Sequence, residues 1–307
     1  MPDWNNVPRD YPVTAMQFTQ NTHLDIYPAV DPTLPENDLS GKVAIITGAS
    51  RGIGALGMVP SFVKSKVKGI VLLASNAERL ADTERSIKAT SPNIETLTCV
   101  LDISDAKGVE NVFEAIKAKF SHADFLINAA GAASGDGPKL HETNPDEWWH
   151  NFEVNGKGTY LLIRAFLRQL RASDAPAAIV NVSSWQPFFV APQMSGYFMS
   201  KLIVDNLATY VAAEYPNVTA VALHPGLVAT DMLREPFGSL FDHTSAEVVG
   251  GTTVWLCQEK AKFLSGRWIS ANWNVEDLVA RKEEIVQADL LKLTLRGRFG
   301  TDNAASS

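Results

Sequence analysis

The sequence predicts an α/β fold built on a parallel, doubly wound sheet with helices on both faces. Three observations predict it. From Lys42 onward, short apolar runs alternate with segments of helical spacing, the order that builds a parallel sheet from βαβ units. Each run is apolar throughout rather than alternating, as a strand covered on both faces requires. A glycine-rich loop, Thr47-Gly48-Ala49-Ser50-Arg51-Gly52-Ile53-Gly54, stands between the first run and the first helical segment.

The β-branched-rich runs are residues 43–47, 70–74, 96–101, 125–128, 178–182 and 218–223. Between them, residues 106–120 place Val109, Val112, Phe113, Ile116 and Phe120 on one helical face, at steps of three and four. Residues 144–171 and 195–215 read as longer helices of the same kind. Residues 1–40 carry Pro2, Pro8, Pro12, Pro28, Pro32 and Pro35 and no sustained apolar period, which predicts an irregular arm that wraps the domain or frays. No second composition regime and no internal repeat follows. Residues 41–295 are therefore expected to form one domain, with 296–307 as a tail.

Composition narrows the function classes. A hydrophobic fraction of 46% with 20% charged residues over 307 positions suits a water-soluble globular chain with ample core material. The net charge of −7 argues against broad nucleic-acid binding, which needs a basic footprint, and gives no reason to expect an anionic membrane as partner. No stretch reaches the roughly 18–20 continuous apolar residues of a spanning helix. The first thirty residues have neither a basic n-region nor an apolar h-region, so a cytoplasmic location is expected. Cys99 and Cys257 lack C-x-x-C spacing and read as reduced, buried thiols. His141, His150 and His224 show no metal-ligand spacing, and no metal site is expected.

The glycine loop has the strand-turn-helix setting of a dinucleotide cradle, and hence of a Rossmann fold. Gly48 permits the tight turn, Gly52 lets backbone N–H groups approach a pyrophosphate, and Gly54 lets helix and strand pack closely. Ser50, Arg51 and Ile53 complete the loop. At the end of the second run, Ala74 and Ser75 offer no carboxylate for ribose hydroxyls. Arg51 could reach a 2′-phosphate, or be a solvated surface charge. NADP(H) is thus favoured over NAD(H). Asp102, with Ile103 beside it, could receive an adenine amino group or could cap a helix, a task Ser104 or Asp105 could also perform. Asn128-Ala129-Ala130-Gly131 offers either a wall for a ribose or a tight strand exit.

Further along, Tyr197 and Lys201 stand at i and i+4, on one helix face. A cation beside a phenol favours the phenolate, which makes the tyrosine usable as an acid or base near neutrality. Ser184, at the end of the fifth run, could donate a hydrogen bond to a substrate oxygen. Ser183 should point to the opposite side. Asn155, unfavourable inside the long fourth helix by propensity, could hold a water that relays protons to Lys201.

These residues resemble a short-chain dehydrogenase/reductase of the classical type. The resemblance covers most of the chain, from Leu39 to Asp277, on Thr47-Gly48-x-x-x-Gly52-x-Gly54, Asn128-Ala129-Ala130-Gly131, Asn155, Ser184, Tyr197-x-x-x-Lys201 and Pro225-Gly226. It implies seven parallel strands and subunits assembled as homodimers or homotetramers on the long helices. It implies further that Tyr197 is the general acid/base and that Lys201 binds the nicotinamide ribose and tunes Tyr197. Ser184 would polarise the substrate oxygen and Asn155 would anchor the proton relay. Pro225, Gly226, Leu227, Val228 and Thr230 would line the nicotinamide side. The arm sequence Tyr27-Pro28-Ala29-Val30-Asp31-Pro32 and the segment Gly266-Arg267-Trp268-Ile269-Ser270-Ala271-Asn272-Trp273 resemble a fungal branch, many of whose members serve secondary metabolism.

The chain departs from the family pattern at Pro60, inside the first helix, where bending and weaker packing are expected. Trp185, Phe188, Phe189, Met194, Phe198 and Met199 surround the catalytic segment, which suits a hydrophobic ketone or alcohol, although half of them could be core. Trp148 and Trp149 are expected to pack, and residues 233–243 to form a mobile lid. The expected activity is NADP(H)-dependent oxidoreduction of a hydrophobic carbonyl or hydroxyl compound. A non-catalytic dinucleotide sensor, and a dehydratase or isomerase on the same site, are the alternatives.

Overall fold

Val43–Thr47 are five consecutive buried residues rich in Val, Ile and Thr, and they form β1 at the middle of the sheet. In a computed structural model that describes residues 6–295 except Asp136, Ser173, Gln186, Pro187, Phe189, Arg234 and Pro236, six more strands join it. They are β2 (Gly69–Ala74), β3 (Glu95–Val100), β4 (Phe125–Asn128), β5 (Ala177–Val182), β6 (Val218–His224) and β7 (Trp268–Ser270). The spatial order is β3-β2-β1-β4-β5-β6-β7, and every pair is parallel. The order reverses between β1 and β4, so the crevice of a doubly wound sheet opens at their carboxyl ends. Of the sequence expectations, the first five residues of the arm, the tail at 296–307, Phe189, and Arg234 and Pro236 of the lid segment lie outside the described residues.

Two of the readings need correction. β3 is not covered on both faces: it is the edge strand, and Val100 is 58% exposed. The segment read as one long fourth helix is a helix Pro145–Asn151, a π-helical stretch Phe152–Gly158 and a helix Thr159–Arg168. Two glycines allow the break. An ideal Cβ at Gly158 would stand 2.7 Å from Ile103 Cγ1, and one at Gly156 would stand 3.2 Å from Ile203 Cδ1.

Pro60 is accommodated by a similar device. A π turn, Gly54–Met58, runs without a break into the helix Val59–Lys64, with helical backbone at Met58 and Val59, so Pro60 stays inside one helical run. The wider turn just before the proline makes room for its ring and its missing N–H. Packing is close rather than weak. A Cβ at Gly57 would strike the Ala246 carbonyl, and one at Gly250 would strike the Gly57 carbonyl, so this helix crosses Ala246–Leu256 backbone to backbone.

The arm wraps the domain. Trp273 Nε1 donates to the Met16 carbonyl (2.9 Å), the Tyr27 hydroxyl accepts from Val275 N (2.8 Å), and Asn21 N donates to Asp277 (2.8 Å). Among the described residues no helix is long and apolar enough to cross a membrane.

Candidate active site

The glycine loop leaves β1 with Gly48 at φ +66° and Gly52 at φ +54°, backbone states that disfavour any side chain. A Cβ at Gly48 would stand 2.8 Å from Ala130 N, and one at Gly54 would strike the Gly48 carbonyl. Thr47 Oγ1 accepts from Ala129 N (3.0 Å) and Ala130 N (2.9 Å), which locks the exits of β1 and β4 together at the switch point. Gly52 faces Thr230, with 3.6 Å from an ideal Cβ to Thr230 Cγ2. The loop that carries Pro225, Gly226 and Val228 therefore lies across from the glycine loop. Ser50 and Ile53 are half-buried in the cradle.

The exit of β4 is held by two amides. Asn128 Nδ2 donates to Asn181 Oδ1 (2.8 Å). Asn155, wholly buried in the π stretch, accepts from Ala132 N (2.9 Å) and donates to the Ala132 carbonyl (2.8 Å) and Ser200 Oγ (2.9 Å). Its amide thus bridges Ala132 and Ser200. Asp102 accepts from Ser104 N (2.9 Å) and Ser104 Oγ (2.8 Å), and these bonds hold its carboxyl below the usual range. The helix cap is Asp105, so Asp102 is not needed for that task. Ile103 is buried against Gly158.

Tyr197 and Lys201 lie on the helix Ser195–Glu214. The Lys201 side chain is buried, its Nζ donates to the Val182 carbonyl (2.8 Å), and it sits 5.7 Å from the Tyr197 ring centroid. A Cβ at Gly131 would come within 3.5 Å of that nitrogen. Burial pulls the ammonium down to about 8, while Asp205 acts in the opposite sense. Ser184, half-buried, follows β5 and has its carbonyl fixed by Trp268 Nε1 (3.1 Å). Ser183 points the other way, to Asp205, as strand alternation requires.

Behind Ser184 is a ring stack. His224, 2% exposed, lies parallel to Trp268 (5.5 Å, 12°) and edge-on to Trp185 (6.1 Å, 73°). Neither ring nitrogen has a hydrogen-bond partner among the described residues, and burial pulls this imidazole down to about 3. Phe188 packs 5.0 Å from Trp268. Trp149 stacks on Phe152 (5.3 Å, 17°) while staying 55% exposed, and Trp148 bonds Ser195 Oγ (3.1 Å). The lid segment contains a helical turn, Phe237–Leu240, and the arm fastens it through Arg9 to Asp242 (2.9 Å). A cavity of about 390 Å³ opens beside Val228 and Ala229, walled by Leu24 and Asp25 of the arm and by residues 243–246.

Two residues not singled out in the sequence, Arg79 and Asp231, stand beside Arg51. Arg79, in the first turn after β2, and Arg51 both approach Asp231 Oδ2, at 3.7 and 3.6 Å. Ser75 is exposed nearby in sequence, and Asn76 caps the helix that carries Arg79. An arginine at this place was legible, but only a search past the strand end would have met it. Asp231 and Asp205 are brought in by tertiary contact and carry no local signal.

Comparison with known proteins decides the family. A family model described as short chain dehydrogenase matches residues 42–238, more than half of the chain. The chain belongs to the short-chain dehydrogenase family. A short chain dehydrogenase of Monascus purpureus is 36% identical over 92% of this chain and 98% of its own length. One of Emericella variicolor is 32% identical over 91% of this chain and 96% of its own. Relatives of this short-chain dehydrogenase thus include fungal members that match along nearly the whole chain. Among solved structures, L-sorbose reductase from Gluconobacter frateurii, complexed with NADPH and L-sorbose, is 24% identical. It superimposes with a TM-score of 0.67 over 76% of this chain and 95% of its own. The E. coli oxidoreductase yciK gives 0.70 at 23% identity, over 78% and 98%. These two likenesses concern the fold.

Proposed function

We propose that this short-chain dehydrogenase is an NADP(H)-dependent oxidoreductase that interconverts a hydrophobic ketone and its alcohol, in fungal secondary metabolism. The observation that carries the reading is the buried Lys201 ammonium. It is held between the Tyr197 ring, the Val182 carbonyl and the Gly131 backbone, at the same strand edge as the glycine loop.

The cradle fits a dinucleotide: Gly48 and Gly54, where a Cβ would collide with neighbouring backbone, let the loop and helix close tightly, and Gly52, whose nearest neighbour would be Thr230, leaves the bare backbone a pyrophosphate needs. Gly48, Ser50, Gly52, Ile53 and Gly54 would hold the phosphates, with Thr230 facing them. Asn128, Ala129, Ala130 and Gly131 would flank the nicotinamide ribose with Tyr197 and Lys201. Pro225, Gly226 and Val228 would line the ring, and Asp102 and Ile103 the adenine. Two guanidiniums that converge on one carboxylate oxygen can converge on a 2′-phosphate, so Arg51 and Arg79 support NADP(H), with Ser75 adding no opposing charge. When bound, the nicotinamide supplies or accepts the hydride.

The chain's own residues do the rest. Tyr197 exchanges the proton with the substrate oxygen, helped by the adjacent cation. Ser184 Oγ hydrogen-bonds that oxygen, its backbone fixed by Trp268. Asn155 braces the relay by clamping Ala132 and Ser200 around Lys201. Trp185, Phe188, Phe198 and Met199 give the substrate an apolar wall. Trp149, Tyr160, Ile203 and Tyr210, all exposed on the helices Pro145–Asn151, Thr159–Arg168 and Ser195–Glu214, support a homodimer or homotetramer. A cytoplasmic location completes the proposal.

Calorimetric titration with NADPH and with NADH tests the cofactor. Absorbance at the reduced-nicotinamide band, in the presence of a panel of aromatic ketones, tests the chemistry. Tight NADPH binding with turnover supports the reading. Binding without turnover of any ketone favours the sensor, and a preference for NADH removes the role given to Arg51 and Arg79.

A further inference from the structure

Three consecutive residues at the exit of β5 are each held from a different direction. The Val182 carbonyl accepts from Lys201 Nζ (2.8 Å), the Ser183 hydroxyl donates to Asp205 Oδ1, and the Ser184 carbonyl accepts from Trp268 Nε1 (3.1 Å). Ser183 N is also bonded to the Leu223 carbonyl (2.8 Å). Asp205 lies one turn beyond Lys201 on the same helix, and each is 4% exposed. A buried carboxylate that the family pattern did not lead us to expect thus reaches the strand end that carries Ser184, from the helix that carries Tyr197 and Lys201.

The groups that neighbouring elements place against Lys201 are uncharged among the described residues. The neighbouring elements present the Val182 carbonyl from β5, the Gly131 backbone from the β4 exit and the Asn155 amide from the π stretch. Tyr197 is the titratable neighbour on its own helix. Among the described residues, Asp205 is the one ionised side chain whose charge acts on Lys201. A buried ammonium without a nearby anion tends to shed its proton.

We propose that Asp205 is a positioning residue of this site: it anchors the β5 exit through Ser183 and supplies the counter-charge that keeps Lys201 an ammonium. The inference rests on the roles given above to Lys201 and Ser184. Burial drives the lysine toward its neutral form and the carboxylate opposes that drive, so the pair together fixes the pH above which the tyrosine loses its cationic neighbour.

Asp205→Asn separates the two tasks, because the amide oxygen still accepts from Ser183 while the charge is gone. Lysine side chains of the full-length protein, labelled with ¹³C, are titrated by NMR, with Lys201 assigned by the signal lost in Lys201→Arg. In Asp205→Asn the Lys201 midpoint should fall by about one pH unit. An unchanged midpoint overturns the counter-charge and leaves a structural hydrogen bond only. The measurement needs neither cofactor nor substrate, so it stands or falls apart from the redox reading, which fails instead if NADPH does not bind. Should Asp205→Asn not fold, Asp205→Asn combined with Lys201→Met decides. A folded double variant identifies the lone buried cation as the defect and supports the proposal. An unfolded one shows that the uncompensated cation is not the defect and overturns the counter-charge.

Discussion

The buried imidazole of His224 gives a stability prediction that can be worked through before any substrate is known. Its value in the folded chain is about 3 against 6.5 when free, the cause being burial between Trp268 and Trp185. Between those two values the unfolded chain binds a proton that the folded chain refuses, so stability falls as pH drops through the window. At about pH 5 the difference is roughly 1.5 pH units, or about 2 kcal/mol at about 1.4 kcal/mol per unit, whereas at about pH 7.5 it is close to nil. His224→Phe keeps a flat ring in the stack and removes the titrating group. Since it also removes two buried nitrogens without partners, it should not cost stability near neutrality. The assay is urea unfolding of wild type and variant at both pH values, with other titrating groups cancelling in the comparison. Wild type should lose about 2 kcal/mol more than the variant on acidification. Equal losses in the two proteins would refute the argument, because they would place the imidazole in contact with solvent or an anion.

Four further outcomes are expected. Tyr197→Phe should leave NADPH affinity within about twofold and abolish turnover; calorimetry beside a turnover assay checks both halves. Ser75→Asp should move the NADPH-to-NADH preference toward NADH by at least about tenfold, since a carboxylate there repels a 2′-phosphate and accepts ribose hydroxyls. Gly250→Val should destabilise by about 3 kcal/mol in urea titrations, because its side chain would be driven into the Gly57 carbonyl, which is backbone and cannot step aside. Ile203→Glu, on the exposed face of the helix Ser195–Glu214, should convert a sedimenting dimer or tetramer to monomer.

Much of the architecture was legible because buried parallel strands are written as unbroken apolar runs. Val43–Thr47, Phe125–Asn128 and their neighbours announce themselves this way. Trp268–Ser270 has only three residues and no period to show, so the seventh strand came from family resemblance alone. The π stretch at Phe152–Gly158 was hidden because its apolar positions keep nearly helical spacing, while the residue packed on its last glycine, Ile103, lies 55 positions away in the chain. In the site, Gly48, Ser184, Tyr197 and Lys201 could be picked out by spacing. Asp205 and Asp231 could not, since what matters about each is the partner it meets after folding. Asn155 was singled out, but the amide's partners, Ala132 and Ser200, were not.

The arm has a consequence for how the chain is made. Met16 is bonded to Trp273, which follows it by 257 positions, and Tyr27 meets Val275 across 248. At roughly 5–20 residues per second, on the order of 13–50 s of synthesis separates Met16 from its partner. During that interval Met16, Tyr27 and Val30, all buried at the end, have nowhere to be buried. The prolines and acidic residues of the segment suit this delay, since a chain that cannot donate regularly to a strand is slow to join the growing sheet out of turn. A segment made well before its partners is thus among the last to dock, and seating it closes a loop of 257 positions.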